Sequence, residues 1–125
     1  PNILGSGSIP DSIGNLTSVS YIHFGNNMLS GTIPATIANL KTLTEVHFEV
    51  NFLVGSLPDF GQMTLLQRAY FASNSLSGPI PSSIGQLSEL LDINLSSNGL
   101  SGSIPDSICN LQKLWYFFAF SNSLT

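Results

Sequence analysis

Apolar residues recur along this chain in five matching sets. Leu16, Val19, Ile22, Phe24 and Leu29 form the first, and Leu40, Leu43, Val46, Phe48 and Leu53 the second. Met63, Leu66, Ala69, Phe71 and Leu76 follow, then Leu87, Leu90, Ile93, Leu95 and Leu100, and finally Leu111, Leu114, Phe117, Ala119 and Leu124. Inside the sets, apolar pairs two residues apart (Ile22/Phe24, Val46/Phe48, Ile93/Leu95) describe a short strand with one buried face. No window holds a helix-period stripe long enough to compete. The pattern predicts strands near residues 21–24, 45–48, 68–71, 92–95 and 116–119, each followed by a turn and a return.

Two unrelated markers give the same period. Ile-Pro or Leu-Pro pairs end at Pro10, Pro34, Pro58, Pro81 and Pro105, at intervals of 24, 24, 23 and 24 residues. Asn-x-Leu begins at Asn27, Asn51, Asn74, Asn98 and Asn122, at intervals of 24, 23, 24 and 24. Both series shorten in one repeat. Pro34 and Ile37 are three residues apart where Pro58 and Phe60 are two apart, so the deletion is expected in the turn at 58–60, outside the strand ladder.

These sets resemble the leucine-rich repeat, L-x-x-L-x-L-x-x-N-x-L. The stretch Leu29-Ser30-Gly31-Thr32-Ile33-Pro34-Ala35-Thr36-Ile37-Ala38-Asn39-Leu40 is similar to the plant-type subclass, which continues L-x-G-x-I-P-x-x-I-x-x-L, and Leu76–Pro81 and Leu100–Pro105 match equally well. The resemblance implies an α/β-type repeat solenoid: a right-handed superhelix with a parallel sheet on its concave face and mostly turns and 3-10 segments on the convex side. Residues 1–125 then form a single solenoid segment of about five 23–24-residue repeats, cut inside a repeat at both ends. The opening Asn2-Ile3-Leu4 matches the asparagine marker, and the close at Asn122–Thr125 stops just before the next Gly-x-Ile-Pro. Neither end carries a cysteine-bearing cap, so the native polypeptide is expected to continue in both directions, its flanking repeats or neighbouring subunits covering the end faces.

Stacking makes equivalent positions neighbours. The asparagines are expected to turn inward after each strand and satisfy loop backbone groups that leucine could not. Gly31, Gly55, Gly78 and Gly102 are expected where the backbone needs an unusual φ or a close approach. Cys109 falls in a column with Gly14, Ala38, Gly61 and Gly85, which predicts a small buried thiol.

Alternation places the remaining strand positions on the concave surface. One column reads Tyr21, Glu45, Arg68, Asp92, Tyr116. The next reads His23, His47, Tyr70, Asn94, Phe118, and the third Gly25, Glu49, Ala72, Ser96, Phe120. Glu45, Arg68 and Asp92 stack acid, base, acid, which suits both a ladder of weak surface pairs and a recognition stripe. His23 and His47 lie side by side near Glu45 and Glu49. A flat sheet is not expected to converge four ligands on a metal ion, and a pH-sensitive contact is the stronger reading of the paired imidazoles. Tyr116, Phe118 and Phe120 face outward beside Trp115, as aromatic contact surfaces do. The candidate ligand-binding residues are therefore Tyr21, His23, Glu45, His47, Glu49, Arg68, Tyr70, Asp92, Tyr116, Phe118 and Phe120.

Composition narrows the function. Only 8% of residues are charged, and the net charge of −4 includes just three cations, which argues against nucleic acid as a partner. No apolar run reaches the roughly 20 residues of a membrane span. No serine, histidine and acid are brought together in a pocket, and no phosphate loop or zinc spacing occurs, so neither catalysis nor a cofactor is expected. Asn15-Leu16-Thr17 and Asn94-Leu95-Ser96 fit N-glycosylation acceptors, with Asn15 the favoured site because a sugar on Asn94 would obstruct the concave face. The resemblance extends to ectodomains of receptor-like kinases, receptor-like proteins and polygalacturonase-inhibiting proteins. It implies a secreted or cell-surface module that binds a protein, peptide or glycan ligand. The alternative is a structural or assembly protein whose repeats act as scaffold. Columns that change character from repeat to repeat favour binding.

Overall fold

A computed structural model describes residues 6–125; the Asn2-Ile3-Leu4 marker lies outside the described residues. Eleven short strands run in chain order: β1 (Ser6–Ser8), β2 (Tyr21–His23), β3 (Met28–Thr32), β4 (Glu45–His47), β5 (Phe52–Gly55), β6 (Arg68–Tyr70), β7 (Ser75–Gly78), β8 (Asp92–Asn94), β9 (Gly99–Gly102), β10 (Tyr116–Phe118) and β11 (Ser123–Leu124). They form two parallel sheets, one ordered β2-β4-β6-β8-β10 and the other β1-β3-β5-β7-β9-β11. The five-stranded sheet is the one the apolar pairs predict. Its ladder runs one residue past each strand, with the Phe24, Phe48, Phe71 and Leu95 amides donating at 2.7–2.8 Å to carbonyls of the following repeat.

The six-stranded sheet was not anticipated; only turns were expected there. Its strands bury one apolar side chain each at Leu29, Leu53, Leu76 and Leu100, too little alternation to declare a strand. A positive φ at Gly55 (81°) and Gly78 (79°) ends each pass and turns the chain into the following Pro.

The core runs between the sheets and the convex turns. Val46, Ala69 and Ile93 are fully buried under the concave sheet, as are Phe48, Phe71 and Leu95 one turn further on. The asparagine column forms the expected ladder. The Asn51 amide donates to the carbonyls of Phe24 (2.8 Å) and Phe48 (3.1 Å), while its Oδ1 accepts from the Leu29 amide at 2.9 Å. Asn74 and Asn98 repeat the arrangement one strand on.

Four convex 3-10 helices occupy Asp11–Asn15, Ala35–Asn39, Ser82–Gln86 and Asp106–Asn110, and the short repeat has none. Elsewhere the isoleucine amide closes a turn onto the proline carbonyl, as Ile37 does onto Pro34 at 3.1 Å. With one residue fewer, Phe60 cannot make that bond, and its amide donates instead to the Ser83 hydroxyl of the next repeat at 3.1 Å. The Asp59 carboxylate accepts from the Gly61 amide at 2.9 Å. The larger Phe60 ring fills the isoleucine position, fully buried against Phe71. The deletion is thus absorbed where expected, and both sheets pass through it.

Two expectations are corrected. Cys109 is exposed. Each small residue of its column is covered by the next repeat: a Cβ on Gly14 would stand 2.6 Å from Thr36 Cβ, and one on Gly85 2.5 Å from Ser107 Cβ. No described residue covers Cys109 in the way Thr36 covers Gly14. Leu16, assigned to the core, is 52% exposed for the mirror-image reason, because it belongs to the first set.

Candidate functional site

Strands β2, β4, β6, β8 and β10 pair in strict register, so the concave columns are true neighbours. Tyr21 faces Glu45, Glu45 faces Arg68, Arg68 faces Asp92, and Asp92 faces Tyr116. His23, His47, Tyr70, Asn94 and Phe118 align in the same way. Glu49 and Phe120 lie just beyond their strands. All the candidate ligand-binding residues therefore share one surface.

The chemistry divides into three zones. At the β2–β4 end, His47 Nε2 is 2.7 Å and His23 Nε2 3.4 Å from Glu45 Oε1, and His47 Nδ1 is 3.3 Å from Glu49 Oε1. The two imidazole centroids are 4.0 Å apart. The His47 hydrogen bond, opposed by partial burial and helped by His23, holds the Glu45 carboxyl below its ordinary range. Gly25 gives Glu49 its room, since a Cβ there would stand 2.6 Å from Glu49 Oε1. Flat-sheet spacing was not expected to converge four ligands, and among the described residues it brings three together. One ligand atom each from His23, Glu45 and His47 lies within 4.8 Å of the others.

In the middle, Arg68 Nη1 is 3.9 Å from Glu45 Oε2, too long for a strong pair at a half-exposed site. The Tyr70 hydroxyl donates to Asp92 Oδ2 at 2.7 Å; burial and this carboxylate push the phenol up to about 12. The expected acid–base–acid ladder is thus only partly formed. Asp92 pairs with Tyr70, leaving Arg68 with only its long contact to Glu45. Asn94 Oδ1 accepts from the Ser96 hydroxyl at 2.6 Å and the Ser96 amide at 3.0 Å. Ser96, placed outward by alternation, is buried because the chain turns in after β8.

At the β10 end Trp115 (78% exposed), Tyr116, Phe118 and Phe120 present an aromatic surface. Tyr116 and Phe118 stack with planes 9° apart. Trp115 and Tyr116 join Arg68, Leu91 and Asp92 around a cleft of about 320 Å³. Trp115 and Leu91 lie at the strand's lateral edge, where the repeat consensus gives no signal. Asn15 is exposed at the end of the first 3-10 helix, whereas Asn94 is half-buried and bonded within the sheet. No helix among the described residues is long and apolar enough to cross a membrane.

Fold, register and repeat define a leucine-rich repeat protein. The sequence profile of the family described as the EGF-like domain-containing protein ComC LRR domain matches residues 9–114, and the chain belongs to this leucine-rich repeat family. Comparison with curated protein sequences gives no significant match. Among solved structures, the chain is similar to PEPR1 in its complex with AtPEP1, at 38% identity and a TM-score of 0.91 over 95% of this chain and 17% of that one. It is similar to the Arabidopsis receptor kinase HAESA, solved with the peptide hormone IDA and the co-receptor SERK1, at 37% identity and a TM-score of 0.91 over 95% of this chain and 20% of that one. The ectodomain of the receptor kinase SOBIR1 from Arabidopsis thaliana matches at 28% identity and a TM-score of 0.87, over 94% and 65% of the two chains. The chain thus spans about a fifth or less of the first two structures it matches.

Proposed function

We propose that this chain is a non-enzymatic recognition segment of an extracellular or cell-surface receptor-type protein, binding an extended peptide across its concave face. The observation that carries this reading is the contrast between columns. Buried columns repeat one kind of residue, while the exposed register column reads Tyr21, Glu45, Arg68, Asp92, Tyr116. A scaffold has no use for such variation. A linear ligand crossing the strands meets a different group about every 4.8 Å. Among the similar structures, HAESA is described in complex with the peptide hormone IDA and PEPR1 with AtPEP1, which supports a peptide as the ligand class. Protein and glycan ligands fit the same face less well. A glycan would use the Trp115–Tyr116 cleft alone, leaving the β2–β6 polar zones without a role.

The test is selection of random linear peptides on the immobilised chain, read against two variants. Arg68→Glu should weaken selected peptides at least tenfold, because it reverses the one half-free cation of the middle zone. Ser103→Ala, on the exposed back of the repeat, should leave them unchanged. Peptides that bind both variants alike would overturn the concave-face reading.

A further inference from the structure

We propose that His23, Glu45 and His47 form a binding site for a borderline divalent transition-metal ion, zinc foremost, independent of any peptide above it. The ligand set is two imidazoles and one carboxylate, a combination that suits zinc and its neighbours and disfavours calcium and magnesium. The geometry is close to that of a bound ion. Ligand atoms about 2.0–2.1 Å from a tetrahedral zinc lie about 3.3 Å from one another. Here Glu45 Oε1 stands 2.7 Å from His47 Nε2 and 3.4 Å from His23 Nε2. Side-chain rotation that spreads the two imidazoles, whose centroids are 4.0 Å apart, would seat the ion, and the fourth position would stay open toward the concave face.

The surroundings of His47 supply a separate observation. Its two ring nitrogens face two different carboxylates, Glu45 through Nε2 and Glu49 through Nδ1. An imidazole with one ring proton can donate to only one of them. A metal on Nε2 resolves this: Nδ1–H then donates to Glu49, the carboxylate–histidine–metal arrangement that orients metal-bound imidazoles. Glu49 is only 26% exposed, its Oε1 contacts His47, and its Oε2 is buried without a hydrogen-bond partner among the described residues. Gly25 provides the space it occupies. Arg68 lies 3.9 Å from Glu45 Oε2, on the side away from the imidazoles, and does not fill the ligand position. Strands β2 and β4 are hydrogen-bonded in register, so both histidines are preorganised on rigid elements.

The experiment is calorimetric titration of the chelator-stripped chain with zinc chloride alone at pH 7.5, with cobalt(II) absorption as a second readout. One ion per chain and the visible bands of four-coordinate cobalt are expected, neither suppressed by excess magnesium or calcium. The double variant His23→Ala/His47→Ala, folded by circular dichroism, should lose both signals. Glu49→Gln should retain the site with about 10–100-fold weaker affinity, the usual consequence of losing the partner that orients a metal-bound histidine. Absence of saturable binding to the parent chain, or binding unchanged in the double variant, would overturn the proposal. Equal competition by calcium would overturn the metal class, and unchanged affinity in Glu49→Gln would remove Glu49 from it.

Discussion

Asn51 shows how much of the fold rests on single side chains. One buried amide serves two carbonyls and one N–H belonging to two repeats. Replacing it with alanine strands the Leu29 N–H in a dry interior, at about 1–3 kcal/mol, while the Phe24 and Phe48 carbonyls keep the amides of Asn27 and Asn74. Asn51→Ala is therefore expected to destabilise the chain by about 1–3 kcal/mol, measured as a lowered midpoint in a urea titration. Val50 shows the converse. It sits at φ 59° in a column otherwise filled by Asn26, Ser73, Ser97 and Ser121, all with similar positive φ. A β-branched residue is poorly suited to that conformation, so Val50→Asn should stabilise by about 1 kcal/mol, read as a shifted urea midpoint. Asp59 gives a pH signature. The Gly61 amide first, then the Ser83 hydroxyl, hold its carboxyl below the usual 3.8. A group depressed in the folded state contributes stability above its unfolded value and loses it as pH falls through the folded one. Between pH 6 and pH 3 the parent should consequently lose more thermal stability than Asp59→Asn does.

At the scale of elements, the short repeat substitutes a phenylalanine and a borrowed hydroxyl for a helical turn. Ser83→Ala orphans the Phe60 amide and should cost about 1–2 kcal/mol, while Ser103→Ala on the same convex side should cost almost nothing. The position of this deletion was legible in the sequence, because two periodic markers shortened together. The concave strands were legible too, since alternation at Val46/Phe48 and Ile93/Leu95 leaves one solution. The second sheet was not. Leu76 is a single apolar residue between serines and Leu53 sits in an unbroken Phe52–Val54 run, so neither alternates, and their strand state comes from pairing with neighbouring repeats. The imidazole–carboxylate cluster was half legible: register put His23, Glu45 and His47 together, but not the side-chain rotations that aim both rings at one oxygen. Cys109 and Leu16 were misjudged because a column argument presumes a neighbour on either side.

Across the whole molecule, burial is uneven. The repeats of β4, β6 and β8 hold the fully buried side chains, whereas Phe24, Leu114, Phe117 and Leu124 are only partly covered. In a solenoid, where each repeat contacts only its neighbours, local stability within this 125-residue segment taken alone then follows burial and is highest in the β4, β6 and β8 repeats. Amide exchange should be slowest at Val46, Ala69 and Ile93 and distinctly faster at Phe117 and Ile22. Uniform protection across all five strands would instead mean that the segment unfolds as one unit.

The column of small residues on the outer side has a bearing on the inner one. Gly14 and Gly85 let successive 3-10 helices approach as closely as Thr36 and Ser107 allow. The bend of a stacked body is set by the difference in spacing between its two layers, so these glycines act as thin shims. A thicker shim on the back would open the outer layer like a wedge and draw the tips of the inner strands together. The separation between the histidine pair and the aromatic strand would change without alteration of a single ligand-facing residue. Drift on the rear surface can thereby retune the length of ligand this arc accommodates.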